Sequence, residues 1–156
     1  MTPIPLDQVD RRILDHLQSN ARATTLELAQ AAQLSPAQCN RRHRRLEQLG
    51  LIARYETRLQ ATALGLHVVA FVSVVMERGH IRELGRFKAL VGDLAQIQEC
   101  YAVTGDADYV MKVVASDLKR LSDFLMDTLM RTPGVQAVHS TVCLDEIKCT
   151  SALPLA

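Results

Sequence analysis

The sequence lacks the features of a membrane or exported protein. No apolar run among its 156 residues approaches the roughly 18 residues that a membrane-spanning helix needs. The first ten residues contain no basic segment followed by an apolar one, so they do not resemble a signal peptide. We therefore expect a protein of the cytoplasm.

Metal-binding and catalytic motifs are missing as well. The four cysteines, Cys39, Cys100, Cys143 and Cys149, form no Cys-x-x-Cys pair and do not have the spacing of a zinc site. The histidines are scattered, and no Ser/His/Asp set or phosphate-binding loop is visible. These absences predict that the protein is not an enzyme and holds no metal or other cofactor.

Lysine is absent from residues 1–60, which contain nine arginines and six acidic residues. Residues 61–156 contain nine basic and eleven acidic residues, so this part is mildly acidic. Such a contrast in charge predicts two domains with different partners. We expect a first domain at 1–60, a linker at 61–66 and a second domain at 67–156.

Two helices are predicted before residue 34. The first runs from about Asp7, its N-cap, to Asn20 and has an apolar stripe at helical spacing. The second begins at Thr24 with the Ser/Thr-x-x-Glu pattern of a capping box and ends near Gln33. The residues expected to face inward on the second helix are Leu26, Ala29 and Ala32.

A third helix follows with hardly any linker. Ser35 is its expected N-cap, Pro36 occupies the first helical position, and Gln38 completes a second capping box. Gly50 is expected to end it. Two short helices joined by so tight a turn are typical of a helix-turn-helix motif. The inner face of the third helix is expected to carry Cys39, Leu46 and Leu49, with His43 packed beside them.

The outer face of this third helix is rich in arginine. Such a cluster alone would be a solvated basic surface, but the helix-turn-helix before it favours DNA. A recognition helix places its N-terminal half against base edges, so Asn40 and Gln38 could pair with adenine and Arg41 with guanine. The other arginines would contact phosphates. The predicted DNA-binding residues are Ser35, Gln38, Asn40, Arg41, Arg42, Arg44 and Arg45.

Residues 51–59 alternate in polarity and predict a short strand, either a wing or a hinge strand. From residue 67 onwards the pattern predicts strands at about 67–76, 97–104, 109–114 and 135–144. A helix at 81–93 would present Ile81, Leu84, Phe87 and Val91, and a second helix would be capped by Ser116 or Asp117. The order βαββαβ predicts a ferredoxin-like domain, so the whole chain is of the α+β class.

The first strand of this second domain is apolar on both of its faces. It must therefore lie centrally in a sheet, or be covered by another subunit. Because both helices pack on one face of such a sheet, pairing of two sheets in a homodimer would cover the other face. A dimer would also present two recognition helices to two DNA half-sites.

Taken together, these residues resemble a protein of the Lrp/AsnC family, the leucine-responsive or feast/famine regulators. The DNA-binding half carries the matching segments Leu6-Asp7-x-x-Asp10-x-x-Ile13-Leu14 and Arg45-Leu46-Glu47-x-x-Gly50-x-Ile52. The second half carries Val103-Thr104-Gly105-Asp106-Ala107-Asp108-Tyr109. His43 departs from the family pattern, which usually has a β-branched apolar residue at this position.

The resemblance implies a winged helix-turn-helix followed by a ferredoxin-like domain of the RAM or ACT type. It implies homodimers that assemble further to tetramers or octamers, and an amino-acid effector bound between dimers. The effector residues that it implies are Thr104, Gly105, Asp106, Asp108 and Tyr109. The last strand, around Thr141, could supply the facing subunit's part of the site. The segment Gly105-Asp106 could equally be no more than a hairpin turn.

Two other functions stay open at this point. An architectural protein could wrap double-stranded DNA with the same helix-turn-helix and no effector. An enzyme with an appended DNA-binding domain is the third, because ferredoxin-like folds host many activities. The expected function is a sequence-specific transcriptional regulator that responds to an amino acid or a related metabolite.

Overall fold

The computed structural model describes residues 4–77 and 81–155, and for residues 81–84 it describes the backbone alone. The chain divides into two compact units, Met1–Arg58 with Lys148–Ala156 and Leu59–Ile147. Residues 148–155, which we expected in the second domain, group with the first unit. Within the described residues, no helix is long and apolar enough to cross a membrane.

The first unit is built from three helices, α1 (Gln8–Ser19), α2 (Thr25–Ala32) and α3 (Pro36–Gln48). Each helix begins at the predicted N-cap, because Asp7, Thr24 and Ser35 each accept a hydrogen bond from a backbone N–H of the first turn. The helices enclose one apolar core. Its buried members are Ile13, Leu14, Leu17, Leu28, Ala29, Ala32, Cys39 and Leu46.

Two predicted core positions of this unit are wrong. Leu26 is 63% exposed, and Leu28 is buried in its place. Successive residues of a helix turn by about 100°, so a face centred on Leu28, Ala29 and Ala32 leaves Leu26 to one side. Leu49 is 41% exposed because it is the C-cap residue, one turn beyond the last inward position at Leu46.

The turn after α3 is a Schellman motif. The N–H of Gly50 donates to Glu47 and that of Leu51 to Leu46, at 2.9 and 3.2 Å. Gly50 has a φ of 71°, a left-handed conformation that glycine adopts without strain. The predicted strand at 51–59 does not form. A strand needs a hydrogen-bonding neighbour, and every strand pair of the described residues lies in the second unit.

The second unit has the predicted βαββαβ order. After a 3₁₀ turn (Thr62–Leu64), the elements are β1 (Val68–Met76), α4 (Ile81–Asp93), β2 (Ile97–Ala102), β3 (Tyr109–Ala115), α5 (Leu118–Asp123) and β4 (Val135–Val142). Helix α5 is capped by Asp117 and continues as a π-helical segment, Phe124–Leu129. The sheet is antiparallel in the order β2-β3-β1-β4, so the apolar strand β1 is central, as predicted.

The two faces of the sheet differ in burial. Alternate residues of β1 and β3, among them Val72 and Met111, are fully buried in a core that includes Phe87 of α4 and Leu121 of α5. Of the other residues predicted for α4, Val91 packs against this core. The side chains of Ile81 and Leu84 lie outside the described residues. The opposite face of the sheet is open in the single chain, and Phe71 on it is 48% exposed.

Candidate nucleic-acid interface and ligand loop

Two capping boxes fix where the helices of the helix-turn-helix start, the first at α2 and the second at the recognition helix α3. Thr24 and Glu27 form the first, and Ser35 and Gln38 form the second. In the second box, the N–H of Gln38 donates to the Ser35 hydroxyl at 3.4 Å, and the N–H of Ser35 donates to Gln38 Oε1 at 3.3 Å. Because Gln38 Oε1 is already engaged, a bidentate pair with adenine would require this box to open.

The predicted base-reading and phosphate-binding residues are mostly exposed. Asn40, Arg41 and Arg44 lie on the exposed side of α3. The Arg45 side chain is 54% exposed, and its Nη1 lies 3.6 Å from Asp10 Oδ2. The structure therefore brings these four residues to one accessible surface of the first unit.

Arg42, a predicted phosphate contact, forms ion pairs within the first unit. Its Nη1 lies 2.7 Å from Asp7 Oδ2 and 2.8 Å from Asp10 Oδ1, and its side chain is only 30% exposed. Asp10 is the buried charged residue of this core, at 2% exposure. The backbone N–H of Asp10 and the Arg42 guanidinium hold the pKa of Asp7 below its ordinary value, while the two carboxylates raise the pKa of Arg42.

Sequence reasoning missed this pair because its partners are 32 residues apart. A buried carboxylate is stable only when it is paired and hydrogen-bonded. The pair therefore ties α1 to α3, and it fixes the orientation of the helix that carries the exposed arginines. The only sequence signal was Asp10 itself, an acidic residue between the apolar positions Val9 and Ile13.

His43 takes part in a second link, from α3 to the segment that follows it. The Tyr55 hydroxyl donates to Glu47 Oε1 at 2.9 Å, so His43 Nε2, 2.7 Å away, donates to the Tyr55 oxygen. The two rings meet edge to face. Burial and the neighbouring Glu47 carboxylate raise the pKa of Tyr55 to about 12. His43 is thus a residue of α3 whose side chain, 22% exposed, contacts Tyr55 in the segment after the helix.

The predicted ligand loop lies between β2 and β3. Thr104, Gly105 and Asp106 are exposed, and Gly105 has a φ of 113° that favours glycine. Asp108 is tied to β1: its N–H donates to Val74 O at 2.9 Å, and its Oδ2 accepts from the N–H of Met76 at 2.7 Å. The loop therefore also makes the hairpin turn, and Asp108 anchors it to the central strand.

Two other predicted effector residues lie away from this exposed tip. Tyr109 is only 7% exposed, and its ring lies 4.9 Å from that of Phe87 in the core. Thr141 is exposed on β4 opposite Phe71, whereas Tyr109 pairs with Val74. Within one chain, Thr141 is therefore not brought to the loop.

A cleft of about 450 Å³ lies at the other end of the same sheet. Gln96, Ser116, Arg120, Asp127 and Phe124 are among its lining residues, and the residues of the ligand loop are not. An exposed loop tip that lines no such cleft needs a further surface to enclose a small molecule.

Comparison with known proteins assigns both units. A family model described as winged helix-turn-helix DNA-binding matches residues 6–53. A model described as the Lrp/AsnC ligand binding domain matches residues 69–153, more than half of the chain. The chain belongs to the Lrp/AsnC family.

Curated and solved relatives of the Lrp/AsnC family agree with this assignment. The leucine-responsive regulatory protein of Salmonella typhimurium is 37% identical over 148 residues, which cover 95% of this chain and 90% of the relative. A transcriptional regulator of Neisseria meningitidis, solved in complex with L-Met, is 35% identical, with a TM-score of 0.93 and coverage of 96% and 97%.

A further solved structure, an AsnC family transcriptional regulator from Agrobacterium tumefaciens, has 30% identity, a TM-score of 0.89 and the same coverage of the two chains. The two-part architecture predicted from the sequence, a helix-turn-helix followed by a ferredoxin-like domain, is therefore confirmed. The chain is a transcriptional regulator of this family.

Proposed function

We propose that this protein binds specific DNA sites through α3 and changes its affinity for them when an amino acid binds its second unit. The observation that carries this proposal is the division of the chain. A capped helix-turn-helix with exposed arginines is joined to a separate domain that matches a ligand-binding family. We infer that it acts in the cytoplasm, where chromosomal DNA is accessible.

Within α3 we assign different roles to the polar residues. Asn40 and Arg41 lie in the N-terminal half of the helix, so they are the proposed readers of base edges. Arg44 and Arg45 follow one turn later and are proposed to contact phosphates. We exclude Arg42 from the interface, since its guanidinium already binds Asp7 and Asp10.

Substitution of Arg41 and Arg44 by alanine tests this assignment. The target is a DNA site selected by the protein from a random pool. We expect the double variant to lose specific binding by about 100-fold and the salt dependence of binding to become shallower, because each phosphate contact releases counterions. Arg131→Ala, which removes an exposed arginine of the second unit, is the control. An unchanged footprint of the double variant would contradict the proposed interface.

For the ligand we propose an α-amino acid held at the tip of the 104–108 loop. Free amides of a turn can hold a carboxylate, and the Asp106 carboxylate can receive the ammonium group. Asp108 and Tyr109 then hold the loop in position. Asp108 does so by accepting the hydrogen bond from the N–H of Met76, and Tyr109 by its ring contact with Phe87. The Neisseria meningitidis relative was solved with L-Met, so L-methionine is the first ligand to test.

A thermal-shift screen of the twenty amino acids tests the ligand. A ligand at 100 times its Kd stabilises the folded state by about 2.7 kcal/mol, which raises the melting temperature by several degrees. Asp106→Asn should reduce that rise, while Asp145→Asn, outside the loop, should not. The absence of a shift with any amino acid at millimolar concentration would favour an architectural DNA-binding protein instead.

We also propose that the protein is a homodimer formed through the open face of its sheet, with Thr141 on the shared surface. Phe71 and Tyr101 are 48% and 59% exposed on that face. Large apolar side chains on an open sheet face are typical of a subunit interface. Higher assembly to a tetramer or octamer would then bring a second dimer to the exposed ligand loop.

A further inference from the structure

Residues 148–155 belong to the first unit although they follow the last strand of the second. The chain thus passes between the units twice, after Arg58 and again after Ile147. The first passage is the linker expected from the sequence. The second was not predicted, because nothing in the composition of residues 148–155 distinguishes them from a surface loop.

The main attachment of this segment is to helix α1. Gln18 Nε2 donates to the carbonyl oxygen of Leu153 at 3.1 Å, and the N–H of Leu153 donates to Gln18 Oε1 at 2.6 Å. Both polar groups of the Gln18 amide thus bind the backbone of one residue. Leu155 packs, partly buried, against the core of the first unit. These contacts fix the position of the segment on α1.

A second attachment lies near the start of the segment. Arg58 Nη1 donates to the carbonyl oxygen of Cys149 at 3.2 Å, and the same guanidinium contacts the Cys149 thiol. Arg58 is the last residue of the first unit before the linker. Residues 148–155 are therefore held both where the chain leaves the first unit and on its first helix.

This attachment is local and shallow. Leu153 is 70% exposed, and the segment contains no helix or strand. Few buried contacts and exposed hydrogen bonds are typical of regions that open locally without global unfolding. Covalent connection raises the effective concentration of such a weak contact, so the segment can bind α1 and still detach from it.

We propose that residues 148–155 are a tether through which the ligand-binding unit controls the DNA-binding unit. Strand β4 ends at Val142 and the first attached residue is Cys149. A chain spans at most about 3.5 Å per residue, so this stretch limits the distance between them to about 25 Å. A rearrangement that carries the end of β4 beyond this limit would pull on α1, and the Asp10–Arg42 pair joins α1 to the recognition helix. This inference rests on the proposed function.

The test compares full-length variants in DNA binding with and without L-methionine. Gln18→Ala with Leu155→Asp removes the attachment to α1, and Gln8→Ala with Leu153→Ala is the matched control, since Gln8 is an exposed glutamine of the same helix and Leu153 binds through its backbone. We expect L-methionine to change the DNA affinity of the wild type and of the control by about 5-fold or more. In the variant with Gln18→Ala and Leu155→Asp, the detached variant, the ratio of the DNA affinities with and without L-methionine should fall to about one. Its thermal shift on binding L-methionine should be retained.

Gln18→Ala alone is the safeguard against misfolding, because alanine is favourable at an exposed helical position. It should give a ratio between those of the wild type and the double variant. If the detached variants still bind L-methionine and keep the full ratio, the tether is overturned and the proposed function stands. If neither L-methionine nor any other amino acid shifts the wild type, the proposed function fails and the role of the tether fails with it.

Discussion

The two units of this chain differ in how completely they cover their apolar surface. In the first unit, three helices enclose the core, and the exposed side of α3 is polar and basic. In the second, helices cover one face of the sheet, while Phe71 and Tyr101 remain exposed on the other. The first unit therefore presents a polar and basic surface along α3, whereas the second leaves one face of its sheet open in the single chain.

The two units also differ in where their charged groups find partners. The buried charge of the first unit, Asp10, is paired inside the unit with Arg42. On the open face of the second unit, Glu99 stands opposite Lys112 in neighbouring strands, and the Tyr101 hydroxyl donates to Glu99 at 2.8 Å. Polar groups beside exposed aromatic rings are typical of an interface between subunits. The comparison thus separates a domain that pairs its buried charge internally from one that carries polar and aromatic groups on an open sheet face.

The largest effect is expected from Phe71→Asp on the open face. A carboxylate at the centre of a buried interface leaves an uncompensated charge, so we expect the dimer dissociation constant to rise by about 1,000-fold. Analytical ultracentrifugation measures this change. Leu144→Asp places the same charge on a fully exposed leucine (100% exposed) and should leave assembly unchanged. Equal sedimentation of the two variants would show that this face is not the interface.

A smaller effect, on folding, is expected from Asp10→Ala in the first unit. Removal of one partner leaves Arg42 without its buried carboxylate, and such losses cost about 3 kcal/mol at the lower end of the usual range. The lower end applies because the Arg42 side chain is 30% exposed. Chemical denaturation followed by circular dichroism measures this loss. Asp15→Ala, at an exposed position of the same helix, is the control, and a loss of equal size there would contradict the role of Asp10.

Local features of both units could be read from the sequence, and the Ser35–Gln38 box shows why. A capping box involves residues three apart, so its pattern and its structure coincide. The helix starts at Thr24 and Ser35 and the βαββαβ order are therefore confirmed. The predicted strand at 51–59 is wrong. Alternating polarity shows only that a segment could lie on a sheet surface, and it does not show whether another strand is available to pair with it.

The features of the site that could not be predicted depend on contacts between residues far apart in the sequence. The Asp10–Arg42 pair joins residues 32 apart, and the Gln18–Leu153 contact joins residues 135 apart. Arg42 was predicted to contact phosphates together with Arg44 and Arg45, but the fold turns its guanidinium towards two carboxylates. The assignment of individual residues to DNA or to an amino acid stays a prediction, because base edges and ligand atoms are partners outside the chain.

Ser35→Ala should have a smaller effect than loss of the buried pair. The variant removes the acceptor for the N–H of Gln38, and loss of a serine N-cap costs about 1 kcal/mol. Because this cap sets the start of the recognition helix, DNA affinity should fall as well. Ser122→Ala, at an exposed helical position of the second unit, should be neutral or slightly stabilising. A loss of stability no greater than that of Ser122→Ala would contradict the importance of the box.

The smallest effects are expected from acid, and they should differ between the units. A backbone N–H and Arg42 lower the pKa of Asp7 below 3.8, and the Thr24 backbone lowers that of Glu27 below 4.5. In the second unit, the N–H of Arg120 lowers the pKa of Asp117 below 3.8. A lowered folded-state pKa stabilises the fold above the unfolded value, and this contribution is lost as the pH falls through the folded value.

Below about pH 4.5, the first unit should therefore lose more stability than the second, because two of its described carboxylates have a lowered pKa and one does in the second unit. Denaturation curves at pH 6 and pH 3 measure the difference for each variant. Asp7→Asn and Glu27→Gln should each flatten the acid dependence of the first unit only, and Asp117→Asn that of the second. If Asp7→Asn flattened the acid dependence of both units equally, the units would not unfold independently, and their comparison would have to be made on separate domains.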